Sequence, residues 1–246
     1  MKGRRRVKDE RMTLVQHLEE FRRRLIWVAL AMGVATVVAW SYAPLFFEYL
    51  IQPVGRVVYL DVSEGFFVRL RLAAYMGAMF SFPVLLYHVL AFVLPALGRG
   101  ERRSVLLLLP VFLTLFLVGL GFAWFIFFPF TVRFFLGFVQ NGTAEPLLSA
   151  DRYISFVLGF VVPFGLVFEL PLITAVLSGL GLVSPRFLTR RRKYAVLIIA
   201  VLAMILTPPD VVSMIAMGLP MVVLYEFGII LAKLAWRRRG RLRPAE

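Results

Sequence analysis

Four apolar stretches, at 25–43, 72–94, 105–128 and 153–177, are each long enough to cross the hydrocarbon core of a bilayer as a helix. That core is about 30 Å thick and takes roughly 20 apolar residues at about 1.5 Å of rise each. Backbone groups in lipid have no water to bond, so stretches of this length are confined to helices. The rest of the composition agrees, because 61% of the chain is hydrophobic, against about 45–50% in a soluble domain. Such an excess cannot be absorbed by a water-soluble core.

Two further runs follow. The fifth, 194–206, is ended by Thr207-Pro208-Pro209-Asp210, and the sixth resumes at Val211 and runs to Trp236. At about 20 Å the fifth is short for a span. It could form a re-entrant hairpin with the start of the sixth, but the basic flanks at 186–193 and 237–243 favour two crossings with local thinning of the bilayer. The expected fold is an all-α integral membrane protein of six spans. It forms one membrane domain over 1–246, preceded within it by a charged cytoplasmic segment at 1–24.

Basic residues set the orientation. Lys and Arg number nine in 1–24, three in 95–104, five in 179–193 and six in 233–246, against three in 44–71, two in 129–152 and none in 207–212. This alternation is the positive-inside pattern and predicts both termini in the cytoplasm. It also accounts for the net charge of +14 through contact with anionic headgroups, so nucleic acid is not an expected partner. No cleavable signal is expected at the N-terminus, since 1–24 is charged throughout and no small-residue cleavage pattern follows the first apolar run.

Proline falls inside the spans at Pro83, Pro110, Pro163, Pro171 and Pro220. Each removes a backbone donor and bends its helix, which predicts a concave bundle. Before the first span, Thr13-Leu14-Val15-Gln16 reads as a capping box. Leu14, Leu18, Phe21 and Leu25 then follow at helical spacing, which predicts a short amphipathic helix on the membrane surface. His17, Glu20 and Arg24 line one border of its apolar stripe, Arg22 the other, and Glu19 faces water.

Catalytic patterns are absent. There is no glycine-rich phosphate loop, HExxH or GxSxG, and the chain has no cysteine and only two histidines, His17 and His88. No catalytic residue, metal site or cofactor is expected, and the protein reads as a non-enzyme.

Acidic residues are therefore the informative ones. Glu20 either pairs with Arg24 at i,i+4 or serves a ligand, and Glu101 is either neutralised by Arg102 and Arg103 or does the same. Glu169 lies deep in the fourth apolar stretch between Pro163 and Pro171, where an ionisable group is costly and marks function by default. The alternative is a protonated carboxyl bonded to a carbonyl freed by Pro171. Glu226 has the same two readings, with snorkelling to the interface the stronger alternative. Asp210 reads as a turn and helix-capping residue.

These motifs resemble a known family. His17-Leu18-Glu19-Glu20-Phe21-Arg22-Arg23-Arg24-Leu25, Leu94-Pro95-Ala96-Leu97 with Glu101-Arg102-Arg103, Phe168-Glu169-Leu170-Pro171 and Leu206-Thr207-Pro208-Pro209-Asp210 are similar to the signatures of TatC. That family is the six-helix receptor of the twin-arginine protein translocase, and the resemblance covers nearly the whole chain in order. It implies a multi-pass protein of a prokaryotic cytoplasmic membrane that exports folded cargo on the proton-motive force.

The implied partners are twin-arginine signal peptides, single-span subunits of the TatA and TatB types, other copies of the chain, and the bilayer. By the same resemblance Glu20 and Glu101 receive the signal's arginines, with Arg22 and Phe92 in the same signal-binding group. Glu169, and with it Glu226, belongs to the intramembrane face where single-span partners dock. Pro53, Pro208, Pro209 and Asp210 match family motif positions. Glu19 departs from the family, which often has a neutral residue there. A proton-coupled secondary transporter, with Glu169 and Glu226 as substrate ligands, is the alternative, although the repeated halves usual in such folds are not found.

Overall fold

The structure is a computed structural model and describes residues 14–93, 107–137, 147–207 and 210–242. Among these the regular elements are helical: α1 (Leu14–Ile51), α2 (Glu64–Val93), α3 (Leu109–Phe122), a π-helical segment (Ala123–Phe127), α4 (Phe128–Gly137), α5 (Ala150–Val167), α6 (Leu170–Leu180), α7 (Pro185–Arg190), α8 (Arg192–Leu206) and α9 (Val211–Leu242). Among the described residues, five stretches are long and apolar enough to cross a membrane: Val15–Ile51, Glu64–Phe92, Leu109–Phe135, Ala150–Leu180 and Val211–Arg237. The 15-residue α8 is the short fifth run of the sequence and reaches about 22 Å.

Three expectations need correcting. The amphipathic N-terminal helix is not a separate surface element, because α1 continues without a break from Leu14 to Ile51. No glycine or proline interrupts it before Gly33, so nothing in the sequence turns the chain where charge gives way to apolar residues. Thr13 of the expected capping box lies outside the described residues.

The fourth apolar stretch is not one helix. It breaks at Phe168 and Glu169 between α5 and α6, where the Glu169 N–H donates to the Leu166 carbonyl at 3.1 Å, one residue short of α spacing. Pro171 explains the break: it has no N–H for the Val167 carbonyl and disfavours helical geometry in the residue before it. Pro171 instead sits in the first turn of α6, where its missing donor costs nothing.

The third correction concerns Pro110, which lies in the first turn of α3, where a missing N–H does not bend the helix. The irregularity in that span is the π-helical segment Ala123–Phe127, where the Phe128 N–H reaches back to the Ala123 carbonyl.

Packing follows small residues and aromatic rings. At Gly77 an added Cβ would stand 2.7 Å from the Thr36 Cα, so α1 and α2 meet almost backbone to backbone. A Cβ on Gly119 would stand 2.7 Å from the Phe164 carbonyl oxygen and 2.9 Å from the Gly165 Cα, so α3 and α5 cross in the same way. Such contacts are the usual basis of association in lipid, which supplies no hydrophobic drive between helices.

Around that crossing Phe122, Phe127, Phe160 and Phe164 form an aromatic core, with Phe127 4.8 Å from Phe164 and 4.9 Å from Phe160. A second cluster stacks Phe82 of α2 on Phe116 of α3 at 3.7 Å and carries Leu172 of α6. The outer surface is apolar too: along the membrane-length window of α1 only 6% is buried, and Leu30, Val34, Val37 and Leu45 face outward, as lipid contact requires.

Candidate functional site

The N-terminal half-turns of α1 lie against the C-terminal end of α2. His17 stacks on Phe92 with ring centroids 4.2 Å apart, and Phe21 tilts against the same ring at 5.4 Å. These contacts fix the helix face that carries Glu20. Its Oε1 accepts from Arg24 Nε at 2.9 Å and from Arg24 Nη2 at 2.5 Å. Its Oε2 is buried with no hydrogen-bond partner among the described residues. Only 11% of the Glu20 side chain is exposed, whereas Glu19 and Arg22 point outward. Glu101, the second expected carboxylate, lies outside the described residues, as do Pro208 and Pro209.

Glu169 occupies the break between α5 and α6. It is 4% exposed, and neither carboxylate oxygen has a hydrogen-bond partner among the described residues. The carbonyl freed by Pro171 does not engage it in this structure. Leaving both polar oxygens of a buried carboxyl unpaired costs stability, so the residue is not explained by the packing of the chain itself. Glu226 is in a different environment: it is half-exposed and pairs with Arg192 at the start of α8 at 2.6 Å. That contact favours the interfacial reading of Glu226 over a buried intramembrane role.

Asp210 behaves as a cap, its Oδ1 accepting from the Ser213 N–H at 2.7 Å. Pro53 follows the end of α1, where the chain reverses through Gly55 at φ +79° and the Gly55 N–H bonds the Ile51 carbonyl. Proline just beyond a helix end and glycine in the left-handed region are both stop signals.

One constellation escaped the sequence reading. The loop after α1 pairs with the loop before α5 through Val58 and Ser149, and Glu64 closes the junction. Glu64 Oε1 accepts from Ser149 Oγ and from the Asp151 N–H, each at 2.7 Å, while Oε2 accepts from the N–H groups of Leu60 and Asp61. Alongside, Arg71 bonds Asp151 at 2.6 Å and also reaches Ser155 Oγ, and the Tyr153 hydroxyl donates to the Leu50 carbonyl at 2.6 Å. In the same loop two hydrogen bonds from Ser63 hold the Asp61 carboxyl below its usual range. Ser63-Glu64 at the opening of α2 was the available signal, but the partners that make it a junction, Ser149 and Asp151, lie more than eighty residues away.

Comparison with known proteins places this architecture. The sequence model described as "Sec-independent protein translocase protein (TatC)" matches residues 16–220. This chain belongs to the TatC family. It is 38% identical over 232 residues to the Sec-independent protein translocase protein TatC of Carboxydothermus hydrogenoformans, covering 92% of this chain and 95% of that one. To TatCy of Bacillus subtilis it is 35% identical over 246 residues, covering 98% and 96%. A crystal structure described as the twin arginine translocase receptor TatC superimposes with a TM-score of 0.82 at 37% identity, over 89% of this chain and 99% of that one.

The protein is therefore a multi-span helical component of the twin-arginine translocase, which gives it a role in protein transport. TatC membership leaves the secondary-transporter alternative without support. The family match runs from the first turn of α1 into α9 and includes Glu20, Glu64, Phe92 and Glu169.

Proposed function

We propose that this chain is the signal-peptide receptor of a twin-arginine translocase, binding paired arginines through Glu20 and Glu101 at the cytoplasmic face. The observation that carries this reading is Glu20 itself. It is a carboxylate held on a fixed helix face by the His17, Phe21 and Phe92 contacts, with one oxygen lacking a donor among the described residues. A guanidinium offers planar, paired donors that suit such an acceptor better than an ammonium does. Two glutamates on separate cytoplasmic segments then match two adjacent arginines. Arg22 and Phe92 contribute the outward cation and the aromatic floor beside the site.

The remaining parts of the proposal follow the same logic. Six spans with both termini cytoplasmic are supported by the distribution of Lys and Arg. Glu169, buried at the α5–α6 break, supplies the polar group that a TatA- or TatB-type single-span partner pairs with when it docks against a bundle made concave by its prolines. Recruitment of those partners and of further copies of the chain, driven by the proton-motive force, completes export. The test is the affinity of the chain in nanodiscs for a twin-arginine signal peptide, compared with the same peptide bearing a lysine pair. Equal affinity for the two peptides would refute arginine recognition.

A further inference from the structure

We infer that Arg24 is an internal competitor for Glu20 and sets how strictly the site selects arginine. The inference rests on the signal-peptide reading above and concerns the regulation of that same carboxylate. Arg24 directs both Nε and Nη2 to the single oxygen Oε1, at 2.9 and 2.5 Å. A guanidinium paired side by side with a carboxylate would use both oxygens. Among the described residues Glu20 is thus half coordinated: Oε1 is occupied, and Oε2 is buried without a donor.

The two side chains are one helical turn apart on a continuous helix, so the pair forms without any partner present. It is also one that can be given up. Helical i,i+4 ion pairs are weak, and the Arg24 side chain keeps 21% of its surface exposed, leaving it a route to solvent. Arriving donors compete with Arg24 for Oε1, and its departure opens the buried Oε2 to them. A guanidinium replaces both lost hydrogen bonds, whereas an ammonium is a compact point charge that reproduces the fork poorly. Displacement therefore weakens every ligand somewhat and penalises lysine more. Selectivity arises from an occupied site that the wrong cation cannot empty.

The experiment measures affinity of twin-arginine and twin-lysine signal peptides for the full chain in nanodiscs, in wild type, Arg24→Gln, Arg24→Lys, Glu20→Gln and the double variant Glu20→Gln/Arg24→Gln. Arg24→Gln is expected to tighten arginine-pair binding by about two- to fivefold. It should tighten lysine-pair binding by more, so that the ratio between the two peptides falls. Arg24→Lys should lie between, and in the Glu20→Gln background the Arg24 change should have no effect. Unchanged or weaker arginine-pair binding in Arg24→Gln would overturn the competitor role and make Arg24 a positioning residue. If Glu20→Gln alone binds like wild type, the Glu20 reading itself fails, and the inference fails with it.

Discussion

The Arg69 guanidinium donates to the Trp40 carbonyl at 3.2 Å from Nη2 and 3.4 Å from Nε. That carbonyl is the one Pro44 leaves without its helical donor, four residues on. Arg69 also lies 4.6 Å from the centre of the Trp40 ring. A cation from α2 thus repairs the defect that proline makes in α1, and α1 continues past Pro44 to Ile51 where the sequence suggested an end at 43. Arg69→Met should destabilise the chain by about 1–2 kcal/mol. Pro44→Ala, which restores the N–H, should recover much of that loss in the double variant. Thermal unfolding in detergent across the four-member cycle checks the coupling, and simple additivity would show that the two residues act independently.

Glu64 joins the loop after α1 to the loop before α5 through hydrogen bonds, whereas the Arg71–Asp151 ion pair links α2 to α5. Replacing Glu64 by Ala leaves the donors of Ser149, Asp151, Leu60 and Asp61 without their acceptor. A lower Tm and faster amide exchange at Val58 and Ala150 are expected, with Glu64→Gln intermediate because one of its two oxygens is lost as an acceptor. Unaltered exchange at both amides would show that the Val58–Ser149 pairing holds the loops alone.

The crossing of α3 and α5 gives a graded prediction. At Gly165 an added Cβ meets the Phe116 ring at 2.6 Å, which a side chain can relieve by rotating, whereas at Gly119 it meets backbone at 2.7 Å. Gly119→Ala should therefore cost more than Gly165→Ala, within the roughly 1–3 kcal/mol of overpacked cores. Unfolding of the two variants side by side reads the order directly.

Glu169 is predicted to trade stability for association. Glu169→Leu removes a buried carboxyl with no hydrogen-bond partner among the described residues, so the isolated chain should become more heat-stable. Glu169→Ala and Glu169→Leu should both leave signal-peptide binding intact and weaken association with a single-span partner, while Glu169→Gln should be milder. Co-purification of the partner with each variant is the readout, and full association of Glu169→Ala would make the residue structural filler.

Much of this was legible in the sequence because lipid imposes few solutions. Length and hydropathy located the apolar helices, including the short run that became α8, and Asp210 was recognised as a cap from its place after two prolines. The break at Phe168–Glu169 was written in Pro171, yet apolar composition alone ran straight through it. The long reach of α1 was obscured because Pro44 reads as a stop until Arg69, on another helix, is known to face it. Glu64 was missed for a similar reason: its acceptor role depends on Ser149 and Asp151, and no local pattern in 60–65 announces partners that distant. The Glu20–Arg24 pair was legible from its i,i+4 spacing, whereas a ligand role for Glu20 comes from the resemblance of 17–25 to the family motif.

The most direct test of the account is the affinity of a twin-arginine signal peptide for Glu20→Ala, Glu101→Ala, Glu19→Ala and Glu48→Ala in nanodiscs. Removing one member of a charge-assisted pair costs about 2–5 kcal/mol when the pair is well buried and less when it is wet. Glu20→Ala and Glu101→Ala should weaken binding substantially, and the wild-type interaction should weaken as salt rises. Glu19→Ala and Glu48→Ala, both on exposed carboxylates, should bind like wild type. Wild-type affinity in the Glu20 and Glu101 variants, with loss in Glu19→Ala, would contradict the site assignment.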